Sequence, residues 1–203
     1  WSTLHYQHPK VYHLPMAACP NTHRRTWTAT KENDVFFCGV GFSNRTLLVR
    51  DLEKKLESVR TCIMGTEWPE DMLFTKNERL SNTKLSNAYA TSWVTLNMGR
   101  NLHLANTRYQ LAPSTPGPRT FEAAMAGTVQ FYFAESFEIT DYFQAESEIV
   151  LFNDVGDFTD QLDRLLDEPE WAESIAKSAQ KRALKEHTYA HRSIELLNIC
   201  GFE

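Results

Sequence analysis

Short apolar runs alternate with amphipathic segments along most of this 203-residue chain. The run at 34–41, Asp-Val-Phe-Phe-Cys-Gly-Val-Gly, ends in glycines and is typical of a strand buried on both faces of a parallel sheet. Apolar residues at helical spacing follow it, and the same succession recurs towards the end of the chain. Strands that alternate with helices predict an α/β domain with a Rossmann-like parallel β-sheet and helices on both faces.

The same pattern predicts the individual elements. Strands are expected at 34–41, 61–65, 93–98, 128–133 and 148–152. Helices are expected at about 47–59, 84–91, 119–126, 154–167, 169–186 and 188–199. A proline at the start of the third helix and Gly127 after its end fit the usual asymmetry of helix ends.

Charge is unevenly distributed along the chain. In total, 21 Lys and Arg stand against 26 Asp and Glu, and the net charge of −5 argues against nonspecific nucleic-acid binding. Thirteen acids and one base lie in 135–173, whereas 93–127 holds three arginines and one acid. An anionic ligand is therefore expected at 93–127. No apolar run is long enough to span a membrane, and four sparse cysteines suit reduced thiols in a cytoplasmic protein.

The first candidate motif is Gly39-Val-Gly41, where the first strand meets the first helix. Glycines there let the backbone approach a phosphate, and the helix N-terminus offers unpaired N–H groups. A tight turn without a ligand is the alternative, and Asn44 at the third glycine position disfavours an NAD-dependent oxidoreductase. Arg45 opposes the helix dipole, a conflict that a bound phosphate would remove. Otherwise it is an ordinary surface arginine.

The second candidate motif is 116–127, Pro-Gly-Pro-Arg-Thr-Phe-Glu-Ala-Ala-Met-Ala-Gly. It directs a helix N-terminus, with Arg119 and Thr120 in its first turn, from a loop at the carboxyl end of a strand. N–H groups, a hydroxyl and a guanidinium there would bind an anion, and Glu122, one turn further, would accept hydrogen bonds from a ribose diol. The alternative is that Glu122 only complements the helix dipole and that the alanines permit close packing.

Other chemistries have weaker support. His187 and His191 are four residues apart but lack a nearby third metal ligand, so capping or packing is the favoured role. Cys19 and His23 are a weaker pair still. Neither a serine-hydrolase elbow nor a P-loop is present, and no Asp-x-Asp occurs. Trp68 follows a strand, where an aromatic side chain is more often part of the core than stacked on a base.

Five stretches together resemble the carboxy-terminal domain of the CgeB-type, spore-maturation glycosyltransferases, which are related to group 1 sugar transferases of GT-B fold. The stretches are 12–18, 34–45, 93–98, 119–127 and 186–192. The resemblance covers nearly the whole chain. It implies a domain that binds a nucleotide-diphosphate sugar as donor substrate, with no further cofactor and no metal ion.

The resemblance also implies residue roles. Gly39, Gly41, Arg45 and Arg119 become candidates for the donor diphosphate, and Glu122 for the nucleotide ribose. Arginine and helix N–H groups would stabilise the departing diphosphate in place of a metal. Thr120 of the same helix turn is a further candidate for the donor site.

One position departs from the family pattern. Related retaining enzymes carry a second Glu eight positions before the ribose Glu, and here Ser114 stands there. A catalytically silent nucleotide-binding or interaction domain is therefore the alternative function.

The resemblance further predicts the domain organisation. Residues 1–33 are expected to lead in from a missing N-terminal, acceptor-binding domain. Residues 34–187 form the donor-binding domain, and 188–203 form a helix that reaches back. Alone, the chain is expected to bind a donor and to transfer nothing.

Overall fold

A computed structural model describes residues 10–100, 115–134 and 137–202 of the chain. Their strands form one six-stranded sheet in which all neighbours are parallel, in the order β3-β2-β1-β4-β5-β6. The strands are β1 (Asn33–Val40), β2 (Thr61–Thr66), β3 (Thr75–Lys76), β4 (Ser92–Asn97), β5 (Val129–Phe133) and β6 (Val150–Phe152). The predicted fold class, a Rossmann-like α/β domain, is confirmed.

Helices cover both faces of this sheet. They are α1 (Pro20–His23), α2 (Ser43–Asp51), α3 (Glu53–Glu57), α4 (Asn82–Ala90), α5 (Pro118–Ala126), α6 (Val155–Asp167), α7 (Pro169–Glu186) and α8 (Tyr189–Cys200). Apolar residues of α2, α3, α6 and the first half of α7 form a core with one face of the sheet. Residues of α4, α5 and the second half of α7 pack against the other face. The burial of strands on both sides explains why they read as continuous apolar runs.

The sheet reverses its direction of growth between β1 and β4. Val35 of β1 pairs with Thr61 of β2 on one side and with Val94 of β4 on the other. The chain runs outward from β1 through β2 to β3, then returns to β4 and continues to β6. In open parallel sheets the crevice at the carboxyl ends of the two strands flanking such a reversal is where ligands bind.

Most predicted elements are found within two residues of their expected limits, with two differences. The single helix expected at about 47–59 is divided into α2 and α3, which meet at Leu52, where ψ is −7°. The short elements α1 and β3 were not predicted. The prediction for the end of α5 is confirmed, because Gly127 adopts φ +73° and ψ +46°, a left-handed conformation that glycine enters without steric cost.

The segment before β1 is fastened to the start of α8. The amide of Ala18 donates to the carbonyl of His187 at 3.0 Å, and the amide of Tyr189 donates to the carbonyl of Ala18 at 3.2 Å. Arg192 reinforces this bridge, since its Nε donates to the carbonyl of Pro15 at 2.9 Å. Residues 10–18 therefore pack on the same domain as α8.

His187 and His191 have the structural roles that were favoured for them. His187 is buried among the rings of Phe121, Tyr142 and Phe143. Its Nδ1 accepts from Arg192 at 3.0 Å, which leaves Nε2 to donate to the Tyr142 carbonyl at 3.1 Å. His191 forms a capping box with Thr188 at the start of α8.

We expect His187 to make the fold less stable in acid. Burial lowers the pKa of its imidazole below the usual 6.5, so the unfolded chain takes up this proton at a higher pH than the folded chain. The free energy of unfolding should then fall as pH drops below 6.5, with a slope of at most about 1.4 kcal/mol per pH unit from this group. Urea denaturation of wild type and of His187→Phe between pH 7 and 5 measures it. A constant difference between the two proteins would contradict the prediction.

Candidate functional site

Arg45, in the first turn of α2, joins the carboxyl ends of β1 and β4. Its Nη1 donates to the Val40 carbonyl at 3.1 Å, its Nη2 to that of Met98 at 3.1 Å and its Nε to that of Gly99 at 3.0 Å. The residue is 5% exposed, so it is not an ordinary surface arginine. The structure shows a guanidinium that binds backbone at the reversal point of the sheet, and its predicted role towards a phosphate stays a prediction.

A second guanidinium, that of Arg119, approaches the same point from the first turn of α5. Its Nη2 lies 2.8 Å, and Nη1 of Arg45 lies 3.2 Å, from where a Cβ on Gly39 would stand. Both guanidinium groups face the ring of Phe37, with their carbons 4.9 and 5.4 Å from its centroid. Two positive charges therefore converge at the end of β1, where a bound anion would balance them.

Arg119 is the more available of these two arginines. It is only partly buried, whereas Arg45 is enclosed. Its Nε is buried and has no hydrogen-bond partner among the described residues, although buried polar atoms are nearly always paired. Gly117, which precedes α5, provides no side-chain cap for the helix N-terminus. Arg119 and the N-terminus of α5 are thus placed where an anion could contact them.

The backbone at Gly39, near the end of β1, is held by Trp68. The indole Nε1 of Trp68 donates to the Gly39 carbonyl at 2.9 Å, and its ring meets that of Phe37 edge-on at 5.9 Å. Trp68 is 3% exposed, which confirms the prediction that it belongs to the core. A glycine is needed at position 41 for a steric reason, because a Cβ on Gly41 would lie 2.7 Å from the carbonyl oxygen of Glu67. A ligand role for Gly39 and Gly41 stays a prediction.

Thr120 lies in the interior, beneath α5. It has no exposed surface, and its hydroxyl accepts from Asn97 Nδ2 at 2.8 Å. The same amide group donates to Gln130 Oε1 at 2.9 Å, so the hydroxyl is part of a buried polar network between α5 and the sheet. The sequence predicts a hydroxyl for an anion, whereas this geometry favours a structural role. Ser114 lies outside the described residues.

Glu122 lies one turn beyond Arg119, as its position in the motif predicts. Its side chain is 20% exposed, and Oε1 is 3.8 Å from Nε2 of His23. No sequence pattern points to this contact, because His23 is far from Glu122 along the chain and lies in a segment without periodic apolar residues. Only the packing of α1 beside α5 brings the two together.

Other features of the described residues do not compete with this site. An apolar groove of about 500 Å³ runs between α8 and residues 11–13, and none of the predicted donor-site residues lines it. Its lining residues are Val11, Tyr12, His13, His191, Ile194, Glu195, Asn198 and Ile199. Within 10–100, 115–134 and 137–202, no three His, Cys, Asp or Glu side chains form a group that could hold a metal ion. None of the helices described is long and apolar enough to cross a membrane.

A match to a known protein family shows which family the chain belongs to. Residues 45–198 match the family described as "Glycosyl transferase-like". The chain belongs to this family. The match to the glycosyl transferase-like domain begins at Arg45 and includes α5 with Arg119 and Glu122. No curated protein sequence matches the chain.

Solved structures resemble the glycosyl transferase-like domain in fold. Sucrose-phosphate synthase from Thermosynechococcus elongatus has a TM-score of 0.69 at 13% identity, over 92% of this chain and 51% of that one. Anabaena Alr3699/HepE, in complex with UDP-glucose, has a TM-score of 0.66 at 9% identity, over 91% and 56%.

A third solved structure is matched over almost its whole length. It is the C-terminal domain of a glycosyl transferase group 1 family protein (LpcC) from Francisella tularensis. Its TM-score is 0.58 at 9% identity, over 85% of this chain and 99% of that domain. The chain thus spans about half the length of the synthase and of HepE, and most of an isolated C-terminal domain.

Proposed function

We propose that this chain is the donor-binding domain of a CgeB-type glycosyltransferase. It would bind a nucleoside diphosphate sugar, and the enzyme would transfer the sugar to an acceptor without a metal ion. The observation that carries the proposal is the convergence of the Arg119 and Arg45 guanidinium groups on Gly39 at the reversal point of the sheet. Two positive charges at this edge suit a diphosphate.

In this proposal the two ends of the nucleotide are bound by different residues. The diphosphate lies at the N-terminus of α5, where Arg119 and the helix dipole stabilise its negative charge. Glu122, one turn along the same helix, accepts hydrogen bonds from the ribose hydroxyls. On transfer, the bond between the sugar and the diphosphate breaks, and the negative charge that develops on the diphosphate is stabilised by Arg119.

The complex of HepE with UDP-glucose supports this choice of ligand class, because HepE shares the fold. The acceptor is proposed to bind to a separate N-terminal domain, since this chain spans about half of that neighbour. A cytoplasmic location is proposed because the cysteines are free thiols, as is usual in that compartment. They are Cys19, Cys38, Cys62 and Cys200.

Calorimetric titration of the chain with UDP, GDP and ADP tests the proposal. We expect at least one nucleoside diphosphate to bind, with the same affinity in EDTA and in Mg²⁺. Absence of binding by all three at millimolar concentration would overturn the proposed function. A large gain in affinity with Mg²⁺ would overturn its metal independence alone.

A catalytically silent binding domain is the second candidate, favoured by Ser114 at the position of the second Glu. Both candidates bind a nucleotide, so binding does not separate them. Turnover of a nucleotide sugar by the full-length protein would exclude the silent domain.

We expect Glu122→Ala to weaken UDP binding by about 10-fold to 100-fold, because a hydrogen bond to a charged group contributes about 1.5–3 kcal/mol. Binding of free pyrophosphate, which has no ribose, should change less than twofold. Calorimetry with the two ligands measures both effects. An equal loss for UDP and pyrophosphate would reject the ribose role of Glu122.

A further inference from the structure

His23 is a buried polar residue that the binding of a diphosphate does not require. It ends the short helix α1, which packs beside α4 and α5, and it is 5% exposed. Buried histidines are ordinarily fixed by hydrogen bonds from both ring nitrogens, and each nitrogen of His23 faces a defined neighbour.

One of these neighbours fixes the tautomer of the ring. The backbone N–H of Cys19 donates to Nδ1 of His23 at 3.0 Å. A nitrogen that accepts a hydrogen bond cannot carry the proton of a neutral imidazole, so that proton is on Nε2. His23 therefore offers an N–H donor, held in place by the backbone of its own helix.

The other neighbour is the carboxylate of Glu122. Nε2 of His23 lies 3.8 Å from Oε1, with the His23 side chain 7% and the Glu122 side chain 20% exposed. This distance exceeds that of a hydrogen bond. Hydrogen bonds in active sites are often long before a ligand binds and shorten in the complex. An N–H donor in such a buried place attracts Oε1 and leaves Oε2 for a ligand hydroxyl.

We propose that His23 is a positioning residue, which orients the Glu122 carboxylate towards the ribose diol of the donor nucleotide. The inference rests on the proposed function. A glutamate has three side-chain torsions, so its carboxylate gains little from a diol unless something else restricts it. By attracting one carboxylate oxygen, His23 would restrict the torsions of Glu122 and lower the cost of ordering this side chain on binding.

The test measures how much the diol contributes to binding. Calorimetry compares UDP with 2′,3′-dideoxyuridine 5′-diphosphate, which lacks both hydroxyls, for wild type, His23→Phe and His23→Gln. Phenylalanine preserves the ring without a donor, whereas glutamine keeps an N–H close to the place of Nε2. Asn21→Ala, an exposed change on the same helix, controls for local disturbance of α1.

We expect His23→Phe to weaken the binding of UDP by about threefold to tenfold and the binding of the dideoxy analogue by less than twofold. His23→Gln should restore part of the loss, and Asn21→Ala should change neither ligand. In a Glu122→Ala background, His23→Phe should have no further effect on UDP, because the group that it positions is gone.

Several results would overturn the inference. An equal loss for UDP and the analogue in His23→Phe would mean that His23 only supports the fold, and no loss for either would mean that it does not position Glu122. If wild type binds UDP and the analogue equally, the ribose role of Glu122 fails while nucleotide binding stands. If wild type binds no nucleoside diphosphate, the proposed function fails first and this inference fails with it.

Discussion

Arg119→Ala is expected to weaken the binding of UDP and of pyrophosphate by about 10-fold to 100-fold. The free energy of unfolding should remain nearly unchanged. In the proposed site the guanidinium would form charged hydrogen bonds to the diphosphate, each contributing about 1.5–3 kcal/mol. Its Nε has no partner among the described residues, so its removal breaks no hydrogen bond at that atom. Calorimetry measures the binding of the two ligands, and urea denaturation measures the stability.

Arg45→Ala is the matched control, since the two guanidinium groups lie beside the same glycine. Here we expect a large effect on stability, a loss of about 3–5 kcal/mol in unfolding free energy, because three backbone carbonyls lose their donor in a buried place. Lysine should not rescue it, since one ammonium group cannot reproduce the fork of a guanidinium. A stable Arg45→Ala, or an Arg119→Ala that binds normally, would contradict this division of roles.

Gly65→Ala is expected to be at least as damaging to the fold, with a loss of about 3–5 kcal/mol or failure to fold. Gly65 pairs with Gly39 across β1 and β2 and adopts φ +142°, a conformation that L-residues with a side chain rarely adopt. A Cβ there would lie 1.9 Å from the carbonyl oxygen of Gly39, and backbone cannot yield as a flexible side chain does.

Gly117→Ala serves as the control for this glycine. Among the described residues, no atom lies within 4 Å of an added Cβ at Gly117, and its φ of −82° suits any residue. We expect a change of less than about 0.5 kcal/mol. Circular dichroism and urea denaturation of both variants measure the contrast. A Gly65→Ala protein as stable as Gly117→Ala would show that the two strand ends can separate without cost.

The sequence was most informative where local and global requirements coincide. Strand β1 is buried on both faces, so its apolar run and closing glycines were visible without a structure. The end of α5 was equally visible, because a left-handed residue there requires Gly127. These signals come from neighbours along the chain, and they predicted the fold class correctly. The site that they place at the end of β1 stays a prediction.

The parts of the site that escaped prediction depend on contacts between distant segments. The position of Arg45 at a helix start suggested a phosphate ligand, but its partners are carbonyls of β1 and of the residues after β4, which only the sheet brings within reach. Thr120 was placed in the correct helix turn, yet its hydroxyl faces Asn97 in the interior. The contact of His23 with Glu122 arises only through the packing of α1. No spacing in the sequence encodes these three-dimensional contacts.

The bridge between Ala18 and Thr188 has a consequence for how such a domain is joined to other proteins. The two residues form a parallel bridge, so the chain enters the body of the domain beside the point where it leaves. Residues 19–187 are therefore a closed module whose ends meet. Domains of this kind tolerate insertion into a loop of a host protein, because the host chain is interrupted at a single place and its own geometry is preserved.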